Sequence, residues 1–324
     1  MNQVTVFTLG GTISARGGDA SRMTGAEVLA AAGVPAAVDV ELRDFRRVPS
    51  SSLSFDDLAA LGAEIDEATA AGSGVVVVQG TDTLEETAFL LDLICTPRMP
   101  VAVTGAMRRP DLPGADGPAN LAAAIAVAAH PGCRDVGVVA VIADEIHAAR
   151  HVRKTHTTSV ATFASPGLGP LGLIVEGRPR MLLRPARPVV ERPLRLARPV
   201  RVGLLTLSFG DRGELLEGVD GRFDGLVVAA FGAGHVPKWL VEPLERAAAR
   251  MPVVLASRTG SGAMLTATYR GPGSETDVLG RGLLSAGALD APKARLLLHA
   301  LLADGADRPR IAEAFGHLTG GATD

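Results

Sequence analysis

The sequence predicts an α/β fold: a doubly wound, mainly parallel sheet in an N-terminal domain, followed by a smaller α/β C-terminal domain. Three observations point to it. Short runs of branched apolar residues recur along the chain, most of them continuously apolar rather than alternating, which suits parallel strands covered on both faces. Alanine- and leucine-rich amphipathic stretches separate these runs, giving an order of strand, helix, strand, helix. A segment rich in proline and arginine interrupts the rhythm once.

Taken in order, strands are expected at Val4–Thr8, Val75–Gln79, Val101–Thr104, Val136–Ile142, Val202–Leu207, Leu226–Ala230 and Val253–Ala256. Helices are expected at Phe55–Ala71, Leu84–Ile94, Asn120–Ala129 and Leu240–Ala249. Residues 184–199 read RPARPVVERPLRLARP, where prolines at 185, 188, 193 and 199 forbid a regular helix. This stretch is read as a solvated linker, giving an N-terminal domain over 1–183, a linker over 184–200 and a C-terminal domain over 201–324. There is no internal repeat and no low-complexity tail.

Composition excludes several classes of function. The 324 residues are 47% hydrophobic and 21% charged, as in a globular protein with a sizeable core. The net charge of −3, without long runs of either sign, argues against nucleic acid or an anionic membrane as partner. Cys95 and Cys133 have neither metal-ligand spacing nor the density of a disulfide scaffold, and are expected to be reduced and buried. His147, His151 and His156 stand four and five residues apart, but no carboxylate-water motif accompanies them, so no metal and no cofactor is expected. The opening MNQVTVFTLGGTI lacks the basic start and apolar stretch of a signal peptide. No apolar run approaches the roughly 20 residues that span a bilayer, and the expected location is cytoplasmic.

Three of the expected strands end in a glycine-polar turn: TLGGTI (8–13), QGTDT (79–83) and TGAM (104–107). In an open parallel sheet, ligands bind outside the carboxyl ends of the strands, so these turns belong at one rim. Gly10 and Gly11 let the backbone turn sharply and approach a ligand. No Gly-Lys-Ser/Thr follows and no GxGxxG is present, which disfavours nucleotide binding. Thr83 and Glu86 have capping-box spacing ahead of Leu84, Ala88 and Leu91, so Thr83 is expected to cap a helix. Thr81 and Asp82 precede that cap, where the helix N-terminus faces a ligand.

TLGGTI together with QGTDTLEETAFLLDL resembles the two signature segments of the bacterial-type L-asparaginase family. The resemblance continues through TGAMRRP (104–110), ADGPANL (115–121), VRKTHTTSVATF (152–163), SRTGSG (257–262) and GLLSAGALDAPKARLLL (282–298). It implies an amidohydrolase that converts L-asparagine to L-aspartate and ammonia, with L-glutamine as a second candidate substrate. By that resemblance Thr12 matches the nucleophilic threonine, Thr81 the second catalytic threonine, Asp82 the aspartate beside it, and Lys154 the lysine that joins them. Ser50 matches the residue that holds the substrate α-carboxylate, Asp82 also the α-ammonium, and Glu275 an acid that reaches the same ammonium from a neighbouring subunit. The family implies a homo-oligomer, dimer or homotetramer, with sites completed across a dimer interface.

The chemistry suits these residue types. A threonine hydroxyl is a poor nucleophile and needs a positioned base; a lysine serves as one where burial or nearby cations lower its pKa. A lone lysine is ordinarily a surface residue, and only the motif sets Lys154 apart. The sequence departs from the family in three places. Met23 aligns where many members carry a tyrosine on a mobile lid, here 15–23, and the chain's single tyrosine is Tyr269. Ser51 stands where a glutamine commonly assists substrate binding, which leaves the asparagine-versus-glutamine preference open. His235 replaces an asparagine that often crosses the subunit interface. Two other readings remain: a catalytically silent amino-acid-binding protein, which the missing tyrosine favours, and an amidotransferase subunit acting on charged tRNA. That subunit usually carries an extra N-terminal domain, for which a first signature at residue 8 leaves no room.

Overall fold

The computed structural model describes residues 2–14, 23–33, 37–185 and 189–319, and the chain divides into two compact units, Met1–Pro188 and Val189–Asp324. The first unit runs β1 (Asn2–Thr8), α1 (Gly25–Ala31), β2 (Val38–Asp44), α2 (Phe55–Ala70), β3 (Gly74–Val78), α3 (Leu84–Ile94), β4 (Val101–Thr104), α4 (Gly117–Ala129), β5 (Val138–Ile142), β6 (Glu145–Ala148), β7 (Arg153–Lys154), β8 (Phe163–Ala164), β9 (Gly172–Val175) and β10 (Arg178–Met181). Eight of these strands form one sheet in the order β10-β9-β6-β5-β4-β3-β1-β2, and β7 pairs with β8 apart from it. Strands β1 to β5 are mutually parallel; β6, β9 and β10 extend the sheet antiparallel. The strand order reverses between β1 and β3, and that switch point is where an open α/β sheet leaves a crevice.

The continuously apolar runs become strands buried on both faces: every residue of β3, β4 and β5 is buried. Val76, Val78, Ala102, Val139 and Val141 share one apolar cluster with Leu121, Ala124 and Ala128 of α4 and Val28 of α1. Their alternates, such as Val75 and Val77, face the opposite side, where α2 packs on β3 and α3 on β4 and β5. Burying each of these side chains stabilises the fold by about 1.5–3 kcal/mol. Sharp helix starts keep the crossovers short. Thr24 with Glu27 and Ser54 with Asp57 form capping boxes at the starts of α1 and α2.

The second unit repeats the scheme on a smaller scale: β11 (Val202–Thr206), α5 (Val219–Arg222), β12 (Gly225–Ala230), α6 (Val241–Arg250), β13 (Val253–Ser257), α7 (Glu275–Gly280), β14 (Leu284–Ser285), α8 (Ala291–Ala303) and α9 (Arg308–Gly316). Its four strands lie side by side in chain order and are all parallel. Helix α8 packs on β11 and β12, and α6 on β13. Ser274, Asp290 and Asp307 cap α7, α8 and α9 through their side chains.

Two expectations are corrected. Thr83 occupies the N-cap position of α3 without capping it: a 3₁₀ turn at Thr81–Thr83 leads into the helix and leaves Thr83 at ψ 20°, whereas Thr24 and Ser54, which do cap, stand at ψ 159° and 166°. The hydroxyl then cannot fold back onto the first helical N–H groups and donates to the Ser50 carbonyl instead, at 3.0 Å. The proline-rich stretch is also less solvated than its composition suggests. Residues 189–200 form neither helix nor strand, yet Val189 and Leu194 are buried. Arg192 Nη2 pairs with Asp304 Oδ2 at 2.7 Å, and Arg198 Nε donates to the Leu302 carbonyl at 2.8 Å.

Cys95 and Cys133 are free and buried, and burial pushes both thiols up from their ordinary range. Among the described residues no helix is long and apolar enough to cross a membrane.

Candidate active site

The turns after β1 and β3 flank the switch point and touch each other through their backbones. Gly10 and Gly11 have φ of 103° and 96°, a region that only glycine enters freely. A Cβ on Gly11 would stand 2.2 Å from Gly80 N and 2.4 Å from Gly80 Cα, so no side chain fits between the turns. The next residue on one side is Thr12, half-buried at the start of a 3₁₀ turn. On the other it is Thr81, 5% exposed.

A third turn joins them. Val48 N–H donates to the Leu9 carbonyl at 3.0 Å and leads the chain into the turn Ser50–Ser52. A Cβ on Gly80 would meet Ser50 Oγ at 2.9 Å, which seats Ser50 directly against the Gly80 backbone. Ser50 is 2% exposed, and its Oγ is buried without a hydrogen-bond partner among the described residues. A desolvated hydroxyl in that state costs free energy that a bound polar ligand would recover. Ser51, on the same turn, is exposed.

Lys154 reaches the same place from a ladder outside the main sheet. Its Nζ donates to Thr81 Oγ1 at 2.9 Å and to Asp82 Oδ1 at 3.2 Å. The lysine side chain is 19% exposed and that of Asp82 68%. The short ladder β7–β8 delivers it, with Lys154 opposite Phe163, and its N–H donates to the carboxylate of Glu85 in the first turn of α3. The loop beyond is closed by Thr155 N–H to Thr162 O at 2.8 Å and His156 N–H to Thr162 Oγ1 at 2.9 Å. His156 Nδ1 accepts from the N–H groups of Thr158 and Ser159 at 3.1 and 3.0 Å. The imidazole is thus an organiser of the loop.

The structure therefore brings Thr12, Ser50, Thr81, Asp82 and Lys154 to adjoining turns of the first unit. It also supplies supporting residues that the motifs did not single out. Asp116 accepts from Met107 N–H and Arg108 N–H, at 3.0 and 2.8 Å, and so shapes the TGAM turn. Asn120 donates to the Gly105 carbonyl at 3.0 Å and accepts from Ala143 N–H at 3.0 Å. The signal was present in ADGPANL as a polar pair four residues apart on an otherwise apolar helix start. Met23 is half-buried against the apolar cluster of the first unit and, with Thr8, Gly10, Ile13 and Val28, lines a cavity of about 20 Å³ beside the Gly10 turn. The remainder of the expected lid, 15–22, lies outside the described residues.

Glu275 belongs to the second unit. It is fully buried at the start of α7, and its Oε1 accepts from the N–H groups of Thr268 and Tyr269 at 2.8 and 2.6 Å. His235 Nε2 stands 3.4 Å from Glu275 Oε2, and the His235 ring meets Tyr269 edge-on with centroids 4.9 Å apart. Burial raises the carboxyl of Glu275, but the N–H groups around it outweigh that and hold it below the usual carboxylate range.

Comparison with known proteins accounts for nearly the whole chain. Residues 3–187 match the model of the asparaginase N-terminal domain, and residues 201–315 that of the glutaminase/asparaginase C-terminal domain. The chain is 38% identical to a probable L-asparaginase of Deinococcus radiodurans over 272 residues, 83% of each protein. It is 33% identical to L-asparaginase 2 of Escherichia coli over 96% of this chain and 92% of that one. It is 29% identical to a glutamyl-tRNA(Gln) amidotransferase subunit of Methanosarcina barkeri over 89% of this chain and 70% of the relative. With these matches joined to the paired threonine turns and the lysine between them, the chain belongs to the asparaginase family.

Proposed function

We propose that this protein hydrolyses L-asparagine to L-aspartate and ammonia, with Thr12 as nucleophile. The observation that carries the reading is the contact of Lys154 Nζ with Thr81 Oγ1 at 2.9 Å, one residue beyond the point where the Gly80 turn touches the Gly11 turn. The relatives named as L-asparaginases support the substrate class.

In the proposed cycle the substrate α-carboxylate takes up the unpartnered Ser50 hydroxyl, and its α-ammonium faces the Asp82 carboxylate. Thr12 Oγ1 attacks the side-chain amide carbon while its proton passes to a base. The C–N bond breaks, the amide nitrogen leaves as ammonia with that proton, and a β-aspartyl ester remains on Thr12. Lys154 takes a proton from Thr81 Oγ1 along their 2.9 Å contact, Thr81 in turn deprotonates the water that attacks the ester carbon, and that proton returns through the same relay to Thr12 Oγ1 as the C–O bond breaks and aspartate leaves. Backbone N–H groups at the glycine turns stabilise the developing oxyanion, a contribution of about 3–4 kcal/mol per donor. The reaction as written consumes one water and uses no cofactor. Homo-oligomerisation and a cytoplasmic location belong to the same proposal, tested by sedimentation and cell fractionation; Glu275, fully buried within its own unit, is left out of it.

The experiment is ammonia release from asparagine and from glutamine, side by side, with Thr12→Ala as control. Release by wild type that Thr12→Ala abolishes, with unfolding behaviour unchanged, is the expected result. Binding of asparagine without release would favour the catalytically silent reading that Met23 invites. Release only in the presence of charged tRNA would favour the amidotransferase reading that the Methanosarcina barkeri relative raises.

A further inference from the structure

Lys154 stands on a ladder too short to hold itself. Strands β7 and β8 share two residue pairs, and an isolated two-stranded ribbon of that size is not stable in water. Its geometry must come from anchors. One is the Glu85 carboxylate on α3, which accepts the Lys154 N–H. Another is His147.

His147 lies in β6, paired with Ala140 of the central strand β5, and is 1% exposed. Its Nδ1 is 3.0 Å from the Oγ of Ser165, which directly follows β8 and is 5% exposed. Glu145 Oε2 stands 3.0 Å from the other ring nitrogen. Nδ1 and the Ser165 hydroxyl pair in either neutral tautomer, one donating and the other accepting. The Ser165 carbonyl is held in turn by Leu168 N–H and Gly169 N–H at 3.1 and 2.9 Å. A continuous path thus runs from the central sheet through His147 and Ser165 to β8, across the Phe163–Lys154 pair, and on to Thr81.

We infer that the His147–Ser165 hydrogen bond is the staple that positions Lys154 against Thr81. His147 touches neither the Lys154 side chain nor Thr81; it acts through the hairpin and is a positioning residue. This gives a role to a histidine that the sequence raised only as a metal candidate. Its catalytic consequence rests on the proposed role of Lys154 as base.

The test uses His147→Leu, which keeps the bulk and removes the ring nitrogens; His147→Asn, whose amide sits near the Nδ1 position; and Ser165→Ala. Two readouts are taken at a temperature where all variants are folded: kcat and KM on asparagine, and hydrogen exchange of the segment 153–164, which contains the Thr155 and His156 N–H groups. His147→Leu and Ser165→Ala are expected to lower kcat about tenfold to a hundredfold with KM changed less than about threefold, since small misplacements of a reacting group cost rate. Both should speed exchange in 153–164. His147→Asn should restore kcat and protection, and the double variant should be no worse than either single one, because the two residues make one bond. Unchanged kcat and protection in His147→Leu overturns the inference, as does faster exchange with wild-type kcat while Lys154→Met is inactive. Wild-type kcat in Lys154→Met overturns the base reading instead. The staple is then judged by exchange alone, lost protection sustaining it and retained protection ending it.

Discussion

Lys154 Nζ donates to Thr81 Oγ1 at 2.9 Å although 73 residues separate them in the chain. If this contact is the base relay, Lys154→Met should lower kcat for asparagine by about 10²–10⁴-fold, the usual weight of a positioned acid or base. Thr81→Val, which keeps the shape and removes the hydroxyl, should fall in the same range. Because the two act as a unit, the double variant should lose little more than either alone. Steady-state kinetics of the three variants decides this, and additive losses would break the relay.

Gly11 cannot carry a side chain. A Cβ would overlap the Gly80 backbone at 2.2 Å, and its φ of 96° is itself unfavourable for alanine. Gly11→Ala should therefore destabilise the first unit by more than about 3 kcal/mol and abolish activity. Urea unfolding measures the first and ammonia release the second.

Ser50 behaves in the opposite way. Its buried Oγ makes no hydrogen bond among the described residues, so Ser50→Ala should leave thermal stability unchanged or slightly raised. The KM for asparagine should rise about tenfold or more, as expected when a charge-assisted hydrogen bond of roughly 1.5–3 kcal/mol is removed. A large fall in melting temperature would show that Ser50 is part of the scaffold instead.

Asp92 sets a pH dependence of stability. Burial where it stands in the last turn of α3 pushes its carboxyl from the ordinary 3.8 up to about 6, against the Val138 N–H and Arg150 that pull it down. Between those two values the native state holds a proton that the unfolded chain has released. Stability from this group is therefore present at low pH, falls as pH rises through that window, and is flat above it. Asp92→Asn should match wild type at low pH and exceed it above pH 6. Asp92 is only half-buried, so the gain should be about 1–2 kcal/mol, readable from unfolding midpoints across pH.

Met23 packs against apolar neighbours and has no hydroxyl to offer. Met23→Leu, a volume-conserving change, should cost less than about 1.5 kcal/mol and leave kcat within about threefold. A larger fall in kcat would give the thioether a part in activating Thr12.

The strands legible in the sequence were those whose burial is uniform: the apolar runs at Val101–Thr104 and Leu226–Ala230 need both faces covered, and the helices packed on the two sheets cover them. The antiparallel extension left no such trace. Strands β6 and β9 have four residues each. The turns Ala143–Asp144 and Glu176–Gly177 take positive φ without the asparagine-glycine or aspartate-glycine pairs that announce a hairpin. Asn120 supports one of them from another helix, through Ala143 N–H, and no local pattern encodes that. Strand β2 was missed because it lies at the sheet edge and is half polar.

Local sequence alone determined the parallel α/β scheme, the glycine turns and, through their motifs, the identities of Thr12, Thr81, Asp82 and Lys154 as candidates. These are properties of periodicity and of short segments, which composition along the chain records directly. Tertiary structure alone decided that Thr83 bonds to the Ser50 carbonyl rather than capping its helix, that Ser50 Oγ is left unpartnered, and that His147 ties the lysine hairpin to the sheet. Each depends on desolvation and on distances between residues remote in the chain, and those quantities exist only once the strand order has brought the turns together.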